Sequence, residues 1–427
     1  MKKVFTLLMA VTTVMPGTFL HAQVDNQKFA VISDVHVMSP ELLKADGQAF
    51  KNYLKHDRKL LKESTAILKE LTIELLNEKP EFVLLSGDLT KDGEEVSHRY
   101  LVDSCLNKLL EAGIQTLVIP GNHDINNPHA RAFNGLENER VKTISPTEFA
   151  NIYKKFGYEK ALVRDNHSLS YVYQINDNTR ILALDASRYD DNDFDNDICY
   201  HDGRLKPETE EFIRQQLKDA QMKGMKVIGM MHHGLLEHWK YQNKVIPGYV
   251  VDDWKRISRL LSKGGMKVIF TGHSHAQDIV YKNGIFDIET GSTVSYPTPY
   301  RIINMDDNEM KVTTRRIKSI EADINGLDFK TYSRENTSNG FKFIVRDFFP
   351  ENIPDSLATR IADCVADAMC ENYNGDEMLT DERKKEVKTL GKELKKHSRK
   401  MNRIFKAVVY SLCNDRKPKD TDVTINL

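Results

Sequence analysis

The 427-residue sequence predicts a mixed, layered α/β fold, and two observations carry that prediction. First, short and nearly continuous apolar runs alternate with amphipathic stretches from Phe29 to about residue 316, which is typical of buried strands covered by helices. Second, the alternation stops after residue 277, where strand-like segments follow one another with only turns between them. A purely parallel sheet needs a crossover after each strand, so we expect a mixed sheet.

Six apolar runs of strand length come first along the chain. They cover residues 29–33, 81–86, 116–120, 180–184, 226–231 and 267–270. Helices are expected between them at about 57–78, 94–112, 207–223 and 250–263. Four more strands are expected at 277–281, 285–289, 300–304 and 311–317. Asn283-Gly284 predicts a hairpin turn between the first two of these four.

The first 22 residues differ from this domain. Lys2 and Lys3 precede an apolar stretch that ends at Leu20, and Ala22 offers a small residue for cleavage. This pattern predicts a signal peptide over residues 1–22 and an exported protein of the periplasm or cell envelope, without a stable membrane anchor. An N-terminal membrane anchor is the alternative, but the stretch is interrupted and short for a span of about 20 residues.

Residues 23–320 are predicted to form the main domain, and residues 321–427 a mainly helical C-terminal domain of unknown role. The first part of that C-terminal region, residues 325–340, is polar and rich in turn residues. Beyond it, residues 356–370 and 381–410 each place apolar side chains on one helical face.

Charge and cysteine content narrow the range of partners. The formal net charge is −1, and it becomes −3 when Lys2 and Lys3 are removed. Such a balance gives no general attraction for nucleic acid, so we expect none as a partner. The five cysteines show no metal-finger spacing, and export would permit a disulfide. A bridge within Cys364, Cys370 and Cys413 and a buried free thiol at Cys364 are equal alternatives.

Five of the predicted strands end in residues that bind metals well. The segments that follow them are Asp34-Val35-His36, Gly87-Asp88, Gly121-Asn122-His123-Asp124, His232-His233-Gly234 and Gly272-His273-Ser274-His275. In open α/β sheets ligands bind at the carboxyl edge of the strands, so these segments are expected to meet. Their glycines allow a sharp exit from each strand.

These segments supply seven candidate metal ligands: Asp34, His36, Asp88, Asn122, His232, His273 and His275. Oxygen and imidazole donors without a thiolate suit Mn, Fe or Zn ions. Seven donors are too many for one ion, and if one carboxylate is shared they give two four-ligand half-sites. Such half-sites keep positions open for water and substrate, which is typical of a catalytic centre.

In their order along the chain, these motifs resemble the signature of the calcineurin-like metallophosphoesterases over about residues 28–305. The resemblance implies two mixed β-sheets packed as a sandwich and flanked by helices. It also implies a dimetal centre in which Asp88 bridges the two ions. One ion would be held by Asp34, His36 and His275, and the other by Asn122, His232 and His273. His123 would protonate the leaving oxygen or steady the transition state, and Asp124 would orient the His123 ring.

One motif departs from the family pattern, in which a proline often follows the histidines. Here Gly234 takes that place, so the choice between His232 and His233 stays open. The pattern favours His232 as the ligand, and His233 then faces the substrate or packs nearby. The acidic stretch 189–202 is expected to be a solvated loop and a candidate lid, with Tyr189 placed to stack on substrate.

The resemblance implies a dimetal phosphohydrolase that cleaves phosphoester bonds by attack of a hydroxide bridging two divalent or trivalent ions, and the predicted signal peptide makes it an exported one. The stretch Gly203-Arg204-Leu205 looks like one in the family's phosphodiesterases, so we expect a phosphodiesterase. The alternatives are a phosphomonoesterase or nucleotidase on the same site and a non-catalytic metal-binding scaffold. The expected substrate is a small phosphoester, such as a nucleotide, a phospholipid head group or a sugar phosphate. Metal identity, natural substrate and oligomeric state stay open.

Overall fold

Two large β-sheets packed face to face form the body of the protein. The computed structural model describes residues 26–55, 57–415 and 417–427. The predicted signal peptide, residues 1–22, lies outside the described residues. A third, small sheet lies beside the large pair, and a group of helices follows the last strand of the main domain.

The described residues contain sixteen strands. They are β1 Gln27–Ile32, β2 Leu43–Ala45, β3 Phe82–Ser86, β4 Gln115–Ile119, β5 Arg131–Asn134, β6 Glu137–Arg140, β7 Val163–Arg164, β8 Tyr171–Gln174, β9 Thr179–Leu184, β10 Lys226–Met231, β11 Val268–Thr271, β12 Asp278–Lys282, β13 Ile285–Glu289, β14 Pro299–Met305, β15 Glu309–Arg316 and β16 Asp422–Asn426.

Twelve α-helices are present in the same part of the chain. They are α1 Gln48–Leu54, α2 Ser64–Glu78, α3 Glu95–Leu101, α4 Asn107–Glu111, α5 Pro146–Ile152, α6 Pro207–Met222, α7 Gln242–Val245, α8 Trp254–Lys263, α9 Phe329–Asp347, α10 Asp355–Asn374, α11 Asp381–His397 and α12 Arg399–Leu412. A π-helical turn, Val102–Leu106, makes α3 and α4 continuous. None of the described helices is both long enough and apolar enough to cross a membrane.

The two large sheets are mixed. The first has the strand order β16-β15-β14-β1-β3-β4 and the second β12-β13-β11-β10-β9-β8-β7. Their inner faces share one core, in which Phe29 of β1 stacks on Phe82 of β3 and meets the ring edge of Phe270 of β11 across the sandwich. The second sheet packs its outer face against α6 and α8 through Phe212, Ile213 and Ile257. The packing of the two sheets therefore fixes the ends of their parallel strands relative to one another.

These observations confirm the predicted fold class, a mixed α/β sandwich with a helical C-terminal region. Each predicted strand has an observed counterpart, and the Asn283-Gly284 hairpin joins β12 to β13 as expected. The small sheet β2-β5-β6, the strands β7 and β8 of the second large sheet and the last strand, β16, were not predicted. β16 pairs with β15, so the C-terminal region ends inside the first large sheet.

Three helix predictions need correction. The first helix starts at Ser64 rather than near residue 57, so residues 57–63 form a loop. The stretch 325–340, predicted as turns, contains most of α9, which begins where Asp328 caps the Thr331 amide. The predicted single helix 381–410 is divided at Ser398, because its extended backbone and its side chain cap the start of α12.

All five cysteines lie among the described residues, and all five are free thiols. Cys364, Cys370 and Cys413 are buried. Of the two alternatives that the sequence left open, the structure has the buried free thiol at Cys364.

Candidate metal centre

The ends of five strands meet at one edge of the two large sheets. β1, β3 and β4 run parallel in the first sheet, and β10 and β11 run parallel in the second. Parallel strands present the residues after their carboxyl ends to the same edge. The residues brought together here are all seven candidate ligands, each of them buried: Asp34, His36, Asp88, Asn122, His232, His273 and His275.

One half of the centre is formed by three predicted ligands and a shared carboxylate. Nε2 of His36 lies 3.2 Å from Nε2 of His275. Oδ1 of Asp34 is 3.3 Å from the His275 nitrogen and 3.7 Å from the His36 nitrogen. Oδ2 of Asp88 lies 3.5 Å from the same His36 nitrogen. The ligand atoms of Asp34, His36 and His275 therefore lie close enough to surround a single cation, and Asp88 approaches this group from the side of His36.

The other half has the same construction. Nε2 of His232 lies 3.2 Å from Oδ1 of Asn122, 3.1 Å from Nδ1 of His273 and 3.3 Å from Oδ2 of Asp88. One oxygen of Asp88 therefore faces both groups, which is the position of a bridging carboxylate. His233 is the neighbour whose nitrogens lie outside this group, so the geometry favours His232 as the donor.

Hydrogen bonds orient two of the rings with an open nitrogen toward the centre. Nδ1 of His232 donates to the Ser86 carbonyl oxygen at 2.9 Å, and Nδ1 of His275 lies 3.1 Å from Oγ of Ser295. Nε2 of each ring is then left for a cation. Oδ1 of Asp34 is buried, and no described group hydrogen-bonds it. Burying so many donors without a positive charge would be costly, so the residues present fit two metal ions.

Backbone strain is concentrated at the same residues. Five of the candidate ligands have left-handed backbone angles, which non-glycine residues adopt at a cost of about 1–2 kcal/mol each. Their φ angles are 53° at Asp34, 37° at His36, 50° at Asp88, 75° at His273 and 67° at His275. Strain of this kind persists where function requires a particular side-chain direction, which agrees with a metal centre.

The motif glycines serve two different purposes. Gly87 has a φ of +88°, which agrees with the predicted sharp exit from its strand. Gly121 and Gly272 are needed because a side chain at either position would collide with neighbouring atoms. A Cβ on Gly121 would lie 2.2 Å from Oδ1 of Asp88, and one on Gly272 would lie 1.8 Å from Oγ of Ser33.

The protonation equilibria favour cation binding. Burial alone would raise the pKa values of Asp34 and Asp88, but the neighbouring imidazoles, chiefly His275 and His232 respectively, hold both well below the usual range. Burial lowers the pKa of His36 to about 3, so its ring is neutral at neutral pH. Asp88 raises the pKa of His232 to about 9 against the effect of burial, so without a cation this ring carries a proton on Nε2, which a bound metal ion would replace. The ionised carboxylates of the centre attract positive charge in either form.

His123 forms a pair with a carboxylate that the sequence analysis missed. Its Nδ1 lies 2.9 Å from Oδ1 of Asp92. The other oxygen of Asp92 accepts a hydrogen bond from the Tyr53 hydroxyl at 2.9 Å and pairs with Nζ of Lys91. The side chain of His123 is 27% exposed, whereas the candidate ligands are buried, so substrate can reach it.

The prediction that Asp124 orients the His123 ring is wrong. Its carboxylate accepts hydrogen bonds from the backbone amides of Leu89, Thr90 and Gly121 at 2.8 to 3.1 Å. These bonds tie the loop after β3 to the loop after β4. Asp124 is therefore a buried support for both loops, and Asp92 holds the ring. The only sequence signal for Asp92 was its place four residues after Asp88.

His233 packs behind the centre. It is fully buried, its ring centroid is 4.6 Å from that of His273, and its Nε2 lies 3.1 Å from the carbonyl oxygen of His201. A Cβ on Gly203 would lie 2.4 Å from the His233 ring, so glycine is required where the loop crosses it. Of the two alternatives, packing agrees with this position better than contact with substrate.

The loop 189–202 lies along the rim. Sγ of Cys199 is 3.7 Å from the carbonyl oxygen of Asn122, and Asp197 pairs with Arg140 at 2.6 Å. Tyr189 is buried, with its hydroxyl donating to the carboxylate of Asp185, which directly follows β9. The expectation that Tyr189 stacks on substrate is therefore wrong.

Two basic residues lie beside the centre in the loop before α2. Burial and the charge of Lys59 together lower the pKa of His36, and the same charge acts on His123. Nε of Arg58 donates to the Tyr373 hydroxyl at 2.9 Å, and the Tyr373 ring centroid is 6.2 Å from that of His275. No sequence motif marks either residue, and both lie in a loop that was expected to be the start of a helix.

Comparison with solved structures gives distant similarity. A dimetal phosphatase from Danio rerio is 14% identical with a TM-score of 0.48, and the match covers 68% of this chain and 96% of that one. Purple acid phosphatase PPD1 from yellow lupin (Lupinus luteus) seeds is 13% identical with a TM-score of 0.43, covering 69% of this chain and 52% of that one. A putative 5'-nucleotidase from Staphylococcus aureus is 12% identical with a TM-score of 0.39, covering 79% and 63%.

Comparison at the level of sequence is more decisive. No curated protein sequence matches this chain. A family model described as calcineurin-like phosphoesterase, however, matches residues 27–277, which is more than half of the chain and includes all seven candidate ligands. The chain therefore belongs to the calcineurin-like phosphoesterase family and is a metal-dependent phosphoester hydrolase.

Proposed function

We propose that this protein is an exported phosphodiesterase with two metal ions at the strand-end centre. The observation that carries the proposal is the convergence of seven donors into two groups that share one oxygen of Asp88. Asp34, His36 and His275 would hold one ion, and Asn122, His232 and His273 the other. The donor set suits Mn, Fe or Zn. When bound, the ions would supply an activated water and neutralise the charge that develops on the phosphoryl oxygens.

The side chains around the ions have separate tasks. His123 would hold a proton on Nε2 for the leaving oxygen, because its Nδ1 is engaged by Asp92. Burial and Lys59 oppose protonation of His123, but Asp88 and Asp92 raise its pKa above the ordinary histidine value. Asp124 would keep the two ligand-bearing loops in register.

The diesterase specificity and the location rest on sequence features. Gly203, in the stretch that resembles the family's phosphodiesterases, packs directly on His233 beside the centre. The pattern of residues 1–22 supports export to the periplasm or cell envelope, which N-terminal sequencing of the protein recovered from that compartment would test. A small phosphoester is the proposed substrate class.

The function is tested by hydrolysis of bis-p-nitrophenyl phosphate and p-nitrophenyl phosphate. Protein stripped with a chelator should lose activity and regain it with Mn, Zn or Fe, at two ions per chain. The diester should be cleaved with the higher kcat/KM. A higher value for the monoester would instead identify a phosphomonoesterase on the same centre, and no turnover at two bound ions would indicate a metal-binding scaffold.

Substitutions connect the activity to this centre. Asp88→Ala should abolish turnover and reduce the bound metal below two ions per chain, because it removes the shared ligand. His123→Ala should retain both ions and lose about 10²- to 10⁴-fold in kcat on a phenyl ester, whose leaving oxygen needs a proton, which is the usual contribution of general acid–base catalysis. His167→Ala, at an exposed histidine, is the matched control and should behave as the wild type. Full turnover by both Asp88→Ala and His123→Ala would contradict the mechanism.

A further inference from the structure

An apolar groove lies between the C-terminal helices and the segment that contains α7. It is a cavity of about 420 Å³, which is within the usual range for small-molecule sites. The lining includes Trp239, Ile246, Phe341, Phe348 and Ile404, and Lys244 is the one charged residue among the described residues that line it. Phe348 is 73% exposed and Ile404 40% exposed. Exposed apolar surface is enriched at the interaction sites and ligand grooves of folded proteins.

The first wall of the groove begins and ends at the metal centre. The segment 235–249 leaves the sheet directly after His233 and returns at Tyr249, whose ring centroid is 4.7 Å from that of His273. Its two ends are joined where the amide of Gly234 donates to the Tyr249 carbonyl oxygen at 3.1 Å. Trp239, near the middle of this excursion, packs into the core of the C-terminal helices.

The opposite wall also leads back to the centre. Phe341 of α9 lines the groove, and its ring centroid is 5.2 Å from that of Tyr373, which lies beside His275. Phe341 and Tyr373 share a small core with Ala276, the residue that follows His275. Both walls are therefore continuous with residues that neighbour the candidate ligands.

A basic residue stands where this wall meets the centre. The Arg58 guanidinium lies 5.7 Å from the centroid of the Phe341 ring, and its Nε donates to the Tyr373 hydroxyl. No described carboxylate forms an ion pair with Arg58, so its remaining N–H groups are available to an anion. A planar guanidinium binds phosphate in a bidentate manner. Along the path from the metal centre to the groove, the candidate ligands therefore come first, Arg58 comes next, and the apolar surface comes last.

We infer that the substrate is an amphiphilic phosphoester whose phosphate lies at the metal centre and whose aliphatic chain occupies this groove. The inference rests on the proposed phosphodiesterase function and adds the chemistry of the esterified group. Arg58 would bind the phosphate at the junction, and Lys244 would attract the anion at the rim. Sugar phosphates carry no apolar group, and a nucleobase carries polar edge atoms that this apolar lining would leave without hydrogen-bond partners.

A homologous series of p-nitrophenyl alkyl phosphates tests the inference. The alkyl group runs from methyl to dodecyl, with each ester below its micelle concentration and the metal-loaded full chain as the enzyme. Each buried methylene strengthens binding about fourfold, so kcat/KM should rise steeply with chain length until the groove is filled. The methyl ester measures the proposed function alone, because it does not reach the groove.

Two isoleucine variants connect the chain-length effect to the groove. Ile404→Glu, which introduces a carboxylate at the lining of the groove, should lower kcat/KM for the dodecyl ester by about tenfold or more. Ile73→Glu is the matched control, since Ile73 also lies on a helix and is 42% exposed but is remote from the groove. The Ile73→Glu variant should keep the steep rise of kcat/KM with alkyl chain length. Phe348→Ser, at the more exposed side chain, should flatten the series even if Ile404→Glu folds poorly.

Binding can be measured without turnover. The chain has two tryptophans, Trp239 in the groove and Trp254 in the core behind the second sheet. In a Trp254→Phe variant, the fluorescence of Trp239 should change and saturate with dodecyl phosphate but not with ethyl phosphate.

The outcomes separate the inference from the function on which it rests. Cleavage of the methyl ester with a flat series and no Trp239 response would overturn the inference and leave the phosphodiesterase in place. A Trp239 response to lipid vesicles or to self-association, but not to dodecyl phosphate, would assign the groove to a membrane surface or a second copy and also overturn it. No cleavage of any ester would refute the function, and the inference with it.

Discussion

Replacing Asp92 by asparagine would test whether His123 acts as a proton donor. The substitution removes the negative charge 2.9 Å from Nδ1 of His123 and keeps an oxygen that can accept the same hydrogen bond. Lys91 retains its ion pair with Glu94 at 2.8 Å, so no buried lysine is left without a partner. The variant therefore changes charge with little change in packing.

The size of the expected pKa shift follows from the direct contact between Asp92 and His123. An opposite charge in contact with a titrating group shifts its pKa by about 1–3 units, and here the shift raises the pKa of His123. Without it, His123 loses its proton at a lower pH. The alkaline limb of the pH profile of kcat/KM should move down by about 1–3 pH units. On that limb each unit is a tenfold loss of rate, so we expect about 10- to 10³-fold lower activity.

The assay compares phenyl and p-nitrophenyl esters across the pH range. The p-nitrophenolate group leaves readily without a proton, whereas phenolate needs one, so Asp92→Asn should slow the phenyl ester much more. Asp278→Asn is the control, because Asp278 also lies next to a buried histidine, His238, at 3.1 Å. Its pH profile should match the wild type. Equal slowing of both esters with an unshifted profile would refute proton donation and leave His123 with an electrostatic role.

Two further predictions concern stability. Gly340→Ala should cost about 1–3 kcal/mol in urea unfolding, because its Cβ would lie 2.7 Å from Cα of Arg58. Gly391→Ala, also in a C-terminal helix, meets flexible side-chain ends such as Lys406 and should cost little, and equal midpoints for the two would contradict the packing. Burial raises the pKa of Glu289 to about 8, so the native state keeps a proton that the unfolded chain releases above about pH 4.5. Stability should therefore fall from pH 5 to 8 by up to about 1 kcal/mol per pH unit, and Glu289→Gln should remove this fall; an unchanged pH dependence in the variant would count against it.

The meeting of the ligand-bearing segments could be predicted from the sequence because its signals are local. A motif such as Asp34-Val35-His36 directly follows an apolar strand, and parallel strands carry whatever follows them to one edge. Asp124 was misread for the opposite reason, since neighbours in sequence can point to different sides of a tight loop. Its carboxylate turns back to the amides of Leu89 and Gly121, while Asp92, from another loop, reaches the His123 ring. Contacts between loops have no period in the sequence, so only the structure shows them.

The C-terminal helices were assigned no role from sequence, and α9 was mistaken for turns because of the pair Asn339-Gly340. In the structure that glycine is where α9 comes closest to the loop of Arg58. Thr337, one turn earlier on α9, lies within 3.4 Å of the Arg58 carbonyl oxygen, and α10 supplies Tyr373 to its side chain. The helices thus fix a basic residue beside a centre whose candidate ligands all lie between residues 34 and 275. We therefore expect these helices to influence the choice of substrate. Replacing the groove-lining residues of α9 and α12 should change which ester is preferred, while metal binding stays the same.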